Sequence, residues 1–182
     1  MRPEAFDHYK IERLQAPALT LEPLRASHAA ELFEYLQDPA LYKFIPQDPP
    51  TSITTLEERY TRLEQRASPD RKELWLNWVL RKSSQPAGLV QATCNEQSQV
   101  FIAYEVFEPH RRQGIATLAV TLMLDHLRQK KLAHQALAYV DTRNQASIST
   151  LEVLAFKRSR LLKGADYFKG QVSDEFEYER PL

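Results

Sequence analysis

Residues 110–116 read His-Arg-Arg-Gln-Gly-Ile-Ala and carry the residue types of an anion site. Before them lies a segment rich in β-branched and aromatic residues, 100–107, which predicts a strand. After them a helical pattern runs from Ile115 to about Lys131. The chain has only 4 glycines, and Gly114 stands at this junction. Glycine lets the backbone turn tightly without a Cβ in the way. The amides that follow point out of the helix start, where the dipole favours negative charge. Such a turn holds a phosphate, and Arg111 and Arg112 add side-chain charge beside it. A plain strand-to-helix turn with surface arginines is the competing reading, and this stretch alone leaves the two level.

Glu105 is a second residue with chemical potential. It lies on the strand leading into the glycine turn, on the face shared by Phe101, Ala103 and Phe107. A carboxylate on an apolar face has its pKa raised, which suits a general base. A solvated or ion-paired residue on a half-exposed strand is the alternative. Other chemistries fail on spacing. The chain has no Gly-x-Ser-x-Gly elbow and no Gly-x-Gly-x-x-Gly fingerprint. His8, His28, His110, His126 and His134 form no His-Glu-x-x-His pair. His126 falls in the apolar arc of its helix and reads as a core residue. Cys94 is the single cysteine, which excludes an intramolecular disulfide and a multi-cysteine zinc site.

These residues need a scaffold, and 182 residues suit one domain with a substantial core. The pattern predicts residues 1–18 as an N-terminal extension and 19–182 as the domain. A first strand is expected at 19–24, and Pro23 marks an edge or an end. A helix is expected at 27–37 with Ala29, Leu32, Phe33 and Leu36 inward. A proline-rich loop spans 39–50. Ile53, Leu56, Tyr60, Leu63 and Ala67 form the stripe of a second helix. Residues 74–81, 88–94 and 100–107 predict an antiparallel meander. Trp75 and Trp78 lie on opposite faces of its first strand, so at least one belongs to the core. Ile115, Leu118, Ala119, Leu122, Met123 and Leu127 give the next helix a wide apolar arc. A strand at 135–140, a helix at 144–155 capped by Asn144, and strands at 156–162 and 176–180 complete the order. This is a mixed α/β (α+β) domain around one sheet.

The order and motifs resemble the GNAT superfamily of acyl-CoA-dependent N-acetyltransferases, closest to its RimJ/RimL-like branch. Arg111, Gly114 and Ala116 match the superfamily's pyrophosphate loop, and Arg112 and Gln113 fill its intervening positions. Asn144-Gln-Ala-Ser147, leading to Ala155-Phe156, resembles the branch's Asn-x-x-Ser helix and the Gly-Phe pair after it. Ala165-Asp-Tyr-Phe-Lys-Gly170, followed by Asp174, resembles its closing hairpin. Two residues depart from the pattern: Ala155 replaces a usual glycine, and Leu118 a frequent acid. The alanine predicts a less tightly turned helix end.

The resemblance implies a single-domain, mostly antiparallel sheet whose fourth and fifth strands, here 100–107 and 135–140, splay apart. It implies acetyl-CoA as co-substrate and no metal. The amides of Gly114, Ile115, Ala116 and Thr117 would hold the pyrophosphate. The backbone at Val106 and Phe107, with Asn144, would meet the pantetheine arm. Ser147 would steady or protonate the departing thiolate. Asp166, matching an acid of the closing hairpin, is preferred to Glu105 as base, and a water relay is the third option. The expected partners are a CoA thioester and a primary amine, on a protein N-terminus or a small molecule. The expected state is a monomer or homodimer. Formal net charge is +0, so nothing global favours nucleic acid or an anionic membrane. No apolar run reaches a membrane span, and the charged N-terminus lacks a signal-peptide core, so a cytoplasmic site is expected. A CoA-binding regulatory or scaffold protein without turnover is the second reading.

Overall fold

The computed structural model describes residues 9–182; residues 1–8 of the expected extension, His8 among them, lie outside the described residues. Eight strands form one sheet: β1 (Leu14–Ala16), β2 (Leu19–Pro23), β3 (Glu73–Lys82), β4 (Gln85–Asn95), β5 (Gln99–Val106), β6 (Gln135–Asp141), β7 (Lys157–Phe168) and β8 (Gln171–Pro181). Their order is β1-β2-β3-β4-β5-β6-β8-β7. The α-helices are α1 (Ala29–Leu32), α2 (Ile53–Glu64), α3 (Ile115–Gln129) and α4 (Gln145–Val153). Every neighbouring pair of strands is antiparallel except β5 and β6. This is the mixed α/β sheet that the pattern predicts. Among the described residues no helix is long and apolar enough to cross a membrane.

Each face of the sheet carries its own core. On one, Leu74, Leu76, Trp78 and Leu80 of β3 meet Ile115, Ala119, Val120, Met123, Leu124 and Leu127 of α3. On the other, Val79 and Phe107 meet Leu24, Leu32, Leu36, Leu56 and Tyr60. Burial of side chains this size stabilises by about 1.5–3 kcal/mol each, so both layers matter to the fold. Trp78 is fully buried, and its indole N–H donates to the Glu12 carbonyl at 2.8 Å. His126 is buried beside it and hydrogen-bonds Tyr9. Residues 9–16 therefore pack on the sheet, and β1 adds a strand that the sequence pattern does not announce.

Local departures have identifiable causes. The helix expected at 27–37 is only one α-turn between 3₁₀ turns at Ala26–His28 and Tyr35–Gln37, yet Ala29, Leu32 and Leu36 are buried as expected. Ile53 opens α2 at its first position and is 44% exposed. The α3 arc is wider than predicted, because Val120 and Leu124 are also buried. Ala155 corrects the expectation of a looser helix end. It adopts φ +60°, and the Ala155 and Phe156 amides reach back to Glu152 and Leu151 as in a glycine-ended helix. An alanine there is strained by about 1–2 kcal/mol. The last two strands run longer than predicted. Lys169 and Gly170, at φ +51° and +75°, join them in a turn of the primed hairpin kind.

The β5–β6 contact positions the site. The two strands pair only where Gln99, Val100 and Phe101 meet Gln135, Ala136 and Leu137. Beyond Phe101 they diverge, while β6 stays paired with β8 as far as Asp141. On its other edge β5 is pressed against β4. Gly88 has φ +153°, and a Cβ there would lie 2.1 Å from the Glu105 carbonyl oxygen. Only glycine fits that approach.

Candidate active site

The divergence of β5 and β6 opens a cleft of about 340 Å³ that passes through the sheet. On the α3/α4 face it is lined by Ile102, Tyr104, Ala138, Val140, Asn144 and Ser147. On the α2 face it is lined by Ala103, Glu105, Arg59, Tyr60, Asp141 and Glu175. Residues 41–50 wall that second mouth through Leu41, Tyr42, Phe44, Ile45, Gln47 and Pro50.

The glycine turn lies at the start of α3. Gly114 is its N-cap residue with φ +72°, Arg112 has φ +59°, and no side chain caps the helix. The first amide to reach back is that of Leu118, to the Gly114 carbonyl at 3.0 Å. The Ile115, Ala116 and Thr117 amides therefore have no intrahelical acceptor. Arg112 is exposed. Arg111 departs from the expected phosphate role. Its guanidinium donates to the Val106 carbonyl at 3.0 Å and to Asp38 at 2.8 Å, tying the loop to β5 and to residue 38. The Gln113 side chain likewise turns inward, donating to the Pro109 carbonyl at 3.0 Å and accepting from Lys82.

Backbone parity decides which β5 groups face the gap. The Phe107 amide donates to the Ala87 carbonyl at 3.0 Å, so the odd-numbered residues bond towards β4. The backbone groups of Tyr104 and Val106 then face the gap. Phe107 is thereby corrected as a pantetheine contact: its amide is taken by Ala87, its carbonyl accepts from the His110 amide, and its ring is buried against Tyr35. Across the gap, the Asn144 side-chain oxygen accepts from the Ser147 amide at 3.2 Å, which caps α4. Tyr104 donates its hydroxyl to the Ser147 carbonyl at 3.2 Å, and burial pushes that hydroxyl up to about 12. The Ser147 side chain lies within hydrogen-bonding reach of the Tyr104 hydroxyl, and the residue lines the cleft.

The α2 face carries the carboxylate. Glu105 is pushed up to about 7 by burial, against the pull of the Arg59 and Arg111 charges. Tyr60 is 2% exposed and lines the same space, and its hydroxyl has no partner among the described residues. Glu175 is half-buried and raised by burial and by the Asp166 and Asp141 charges. Asp141 is held down at about 2, first by its hydrogen bond from Arg143, and also accepts from Ser173 at 2.7 Å. Asp166 acts on this group through its charge on Glu175 but does not line the cleft. It sits on β7 outside the cleft lining, opposite Ser173, and accepts from the Tyr167 amide at 2.7 Å. A register shift between Leu162 and Asp166 bulges β7 just before it.

Sequence reasoning missed the clasp over this mouth. The Lys169 ammonium, at the hairpin tip, donates to the carbonyls of Tyr42 (2.5 Å), Ile45 (2.9 Å) and Gln47 (3.0 Å). All three carbonyl owners line the cleft. The partners lie more than 120 positions apart in the chain, and no local signal joins them. Among the described residues no three His, Cys, Asp or Glu side chains come together as a metal site.

Comparison with known proteins agrees with this geometry. Residues 18–157 match the acetyltransferase (GNAT) domain family. The uncharacterized N-acetyltransferase p20 of Bacillus licheniformis is 23% identical over 172 residues, covering 91% of this chain and 94% of the relative. A solved acetyltransferase from Salmonella typhimurium, which modifies the N-terminal serine of a 50S ribosomal subunit protein, superposes with a TM-score of 0.85 at 18% identity. It covers 94% of this chain and 99% of that one. Mycobacterium smegmatis RimJ, solved with a CoA disulfide, superposes with a TM-score of 0.81 at 21% identity, covering 94% and 87%. With its sheet opened between β5 and β6 and its bare amides at Gly114, the chain belongs to the GNAT acetyltransferase family.

Proposed function

We propose that this acetyltransferase transfers acetyl directly from acetyl-CoA to a primary amine, with donor and amine meeting inside the sheet from opposite faces. One observation carries this: the cleft joins Ser147 on one face to Glu105 on the other. The Ile115–Thr117 amides and Arg112 fit a pyrophosphate, and the backbone of Tyr104 with the Val106 amide, whose own carbonyl is held by Arg111, fits a pantetheine arm running between the strands. Asn144 keeps its cap and offers its amide nitrogen to the same arm.

On the α2 face, Glu105 takes the proton from the amine as its nitrogen bonds the thioester carbon. The Val106 amide faces the carbonyl oxygen on which negative charge develops. As the carbon–sulfur bond breaks, the Ser147 hydroxyl hydrogen-bonds the departing thiolate or gives it a proton. Ser147→Ala is expected to lower kcat by roughly 10²-fold with donor affinity unchanged, checked by thiol release and calorimetry.

The Salmonella typhimurium neighbour, which modifies a protein's N-terminal serine, supports a protein N-terminus as acceptor, and the walled α2 mouth supports a small amine equally well. A thiol-release screen tests the reading, with peptides of varied first residue beside polyamines and amino sugars. Transfer to at least one class is expected; tight CoA binding without transfer to any would overturn it. Lys169 enters through the wall that it holds. Lys169→Met should raise acceptor KM about ten-fold by unfastening residues 42–47, with donor affinity unchanged.

A further inference from the structure

Tyr60 belongs to an apolar stripe, and its ring packs with Leu56 and Phe107 in the α2-face core. Phenylalanine would fill that place equally well. The hydroxyl adds a polar group that is buried and has no partner among the described residues, on a residue that lines the cleft with Glu105. The neighbouring tyrosine differs, since Tyr42 donates to the Leu36 carbonyl at 3.0 Å. A buried hydroxyl without a partner costs stability. It is worth keeping where something that enters the site completes it. The ring sits on a packed helix, so the hydroxyl is fixed before anything binds.

The functional reading above places the amine nitrogen at Glu105, and this inference rests on that reading. We propose that Tyr60 reads an oxygen of the acceptor next to its reacting amine, so the acceptor is an α-amino acyl compound or an amino alcohol rather than a plain alkylamine. A tyrosine hydroxyl donates to a carbonyl or hydroxyl oxygen. An acceptor without that oxygen fills the same space and leaves the hydroxyl unpaired, so the site rejects it.

The test uses the full chain saturated with CoA. Calorimetry with glycinamide, ethanolamine and propylamine compares a carbonyl, a hydroxyl and no oxygen in molecules of similar size. The wild type should bind the better oxygenated amine about ten-fold more tightly than propylamine. Tyr60→Phe should bring the three near parity, weakening the oxygenated amines and tightening propylamine. Its Tm without acceptor should equal or exceed that of the wild type, because the orphan hydroxyl is gone. Tighter binding of glycinamide than ethanolamine assigns the partner as a carbonyl, and the reverse assigns a hydroxyl. No preference in the wild type, an undiminished preference in Tyr60→Phe, or a lowered Tm in that variant would each overturn the proposal. A preference in binding without acetyl transfer to any amine would overturn the functional reading and leave the Tyr60 assignment standing.

Discussion

Glu105→Gln is expected to lower kcat by about 10²- to 10⁴-fold, the range for losing a general base, while CoA still binds. The pH profile gives the sharper signature. A base works only when ionised, and burial pushes Glu105 up to about 7. In the wild type kcat/KM should rise through that pH, and the rise should vanish in the variant. An acceptor of different pKa separates this limb from the amine's own titration. Stability gives an independent readout. The folded pKa lies above that of an unfolded glutamate, so the folded state holds more protons between the two values. Wild-type stability therefore falls as pH rises from the ordinary glutamate range to about 7. The variant escapes that fall, so its Tm advantage should be larger at about pH 8 than at about pH 4. Asp166→Asn should be mild, since Asp166 lies outside the cleft lining and bonds its own chain neighbour.

Gly114→Asp is expected to weaken CoA binding by at least about 10²-fold, as for lost charge-assisted hydrogen bonds. A Cβ at Gly114 meets nothing within 4 Å, and aspartate tolerates positive φ, so the variant should fold. What changes is charge: a carboxylate enters the start of α3, where the bare amides favour an anion. Gly114→Asn controls for the side chain itself and should retain most of the affinity lost by aspartate. Equal CoA affinity in the wild type and the aspartate variant, measured by calorimetry, would rule out this turn as the phosphate site.

The layers of the fold were legible where period and turn residues agree. The β3–β5 meander, α3 and the Asn144 cap all announce themselves locally, and Glu105 could be placed on its face by counting twos. The segment at 27–37 was legible in what it buries but not in its hydrogen bonding, because apolar spacing of three or four fits an α-turn and 3₁₀ turns alike. β1 is three residues long, and the contacts that hold the segment leading into it, Trp78 to Glu12 and His126 to Tyr9, come from distant positions. The preference for Asp166 came from motif matching alone; a bulge in β7 cannot be read from that motif. Arg111 reads as a phosphate ligand in sequence, yet its side chain serves Asp38 and Val106. Tyr60 reads as core, which it is, and an unmet hydroxyl has no sequence signature.

The three-residue junction of β5 with β6 is also a mechanical hinge. Phe101 stacks on Tyr139 at its open side, with ring centroids 6.0 Å apart. From Phe101 to Val106 the strand extends about 17 Å at a strand's rise per residue. A turn of about 5° at the hinge would swing the far end by about 1.5 Å over that lever. A misplacement of about 1 Å at a reacting centre can cost about 10²-fold in rate. The stacked rings sit where the aperture begins and Tyr139 lines the cleft itself, so changing the bulk of Phe101 or Tyr139 would retune the enzyme through the width of its gap.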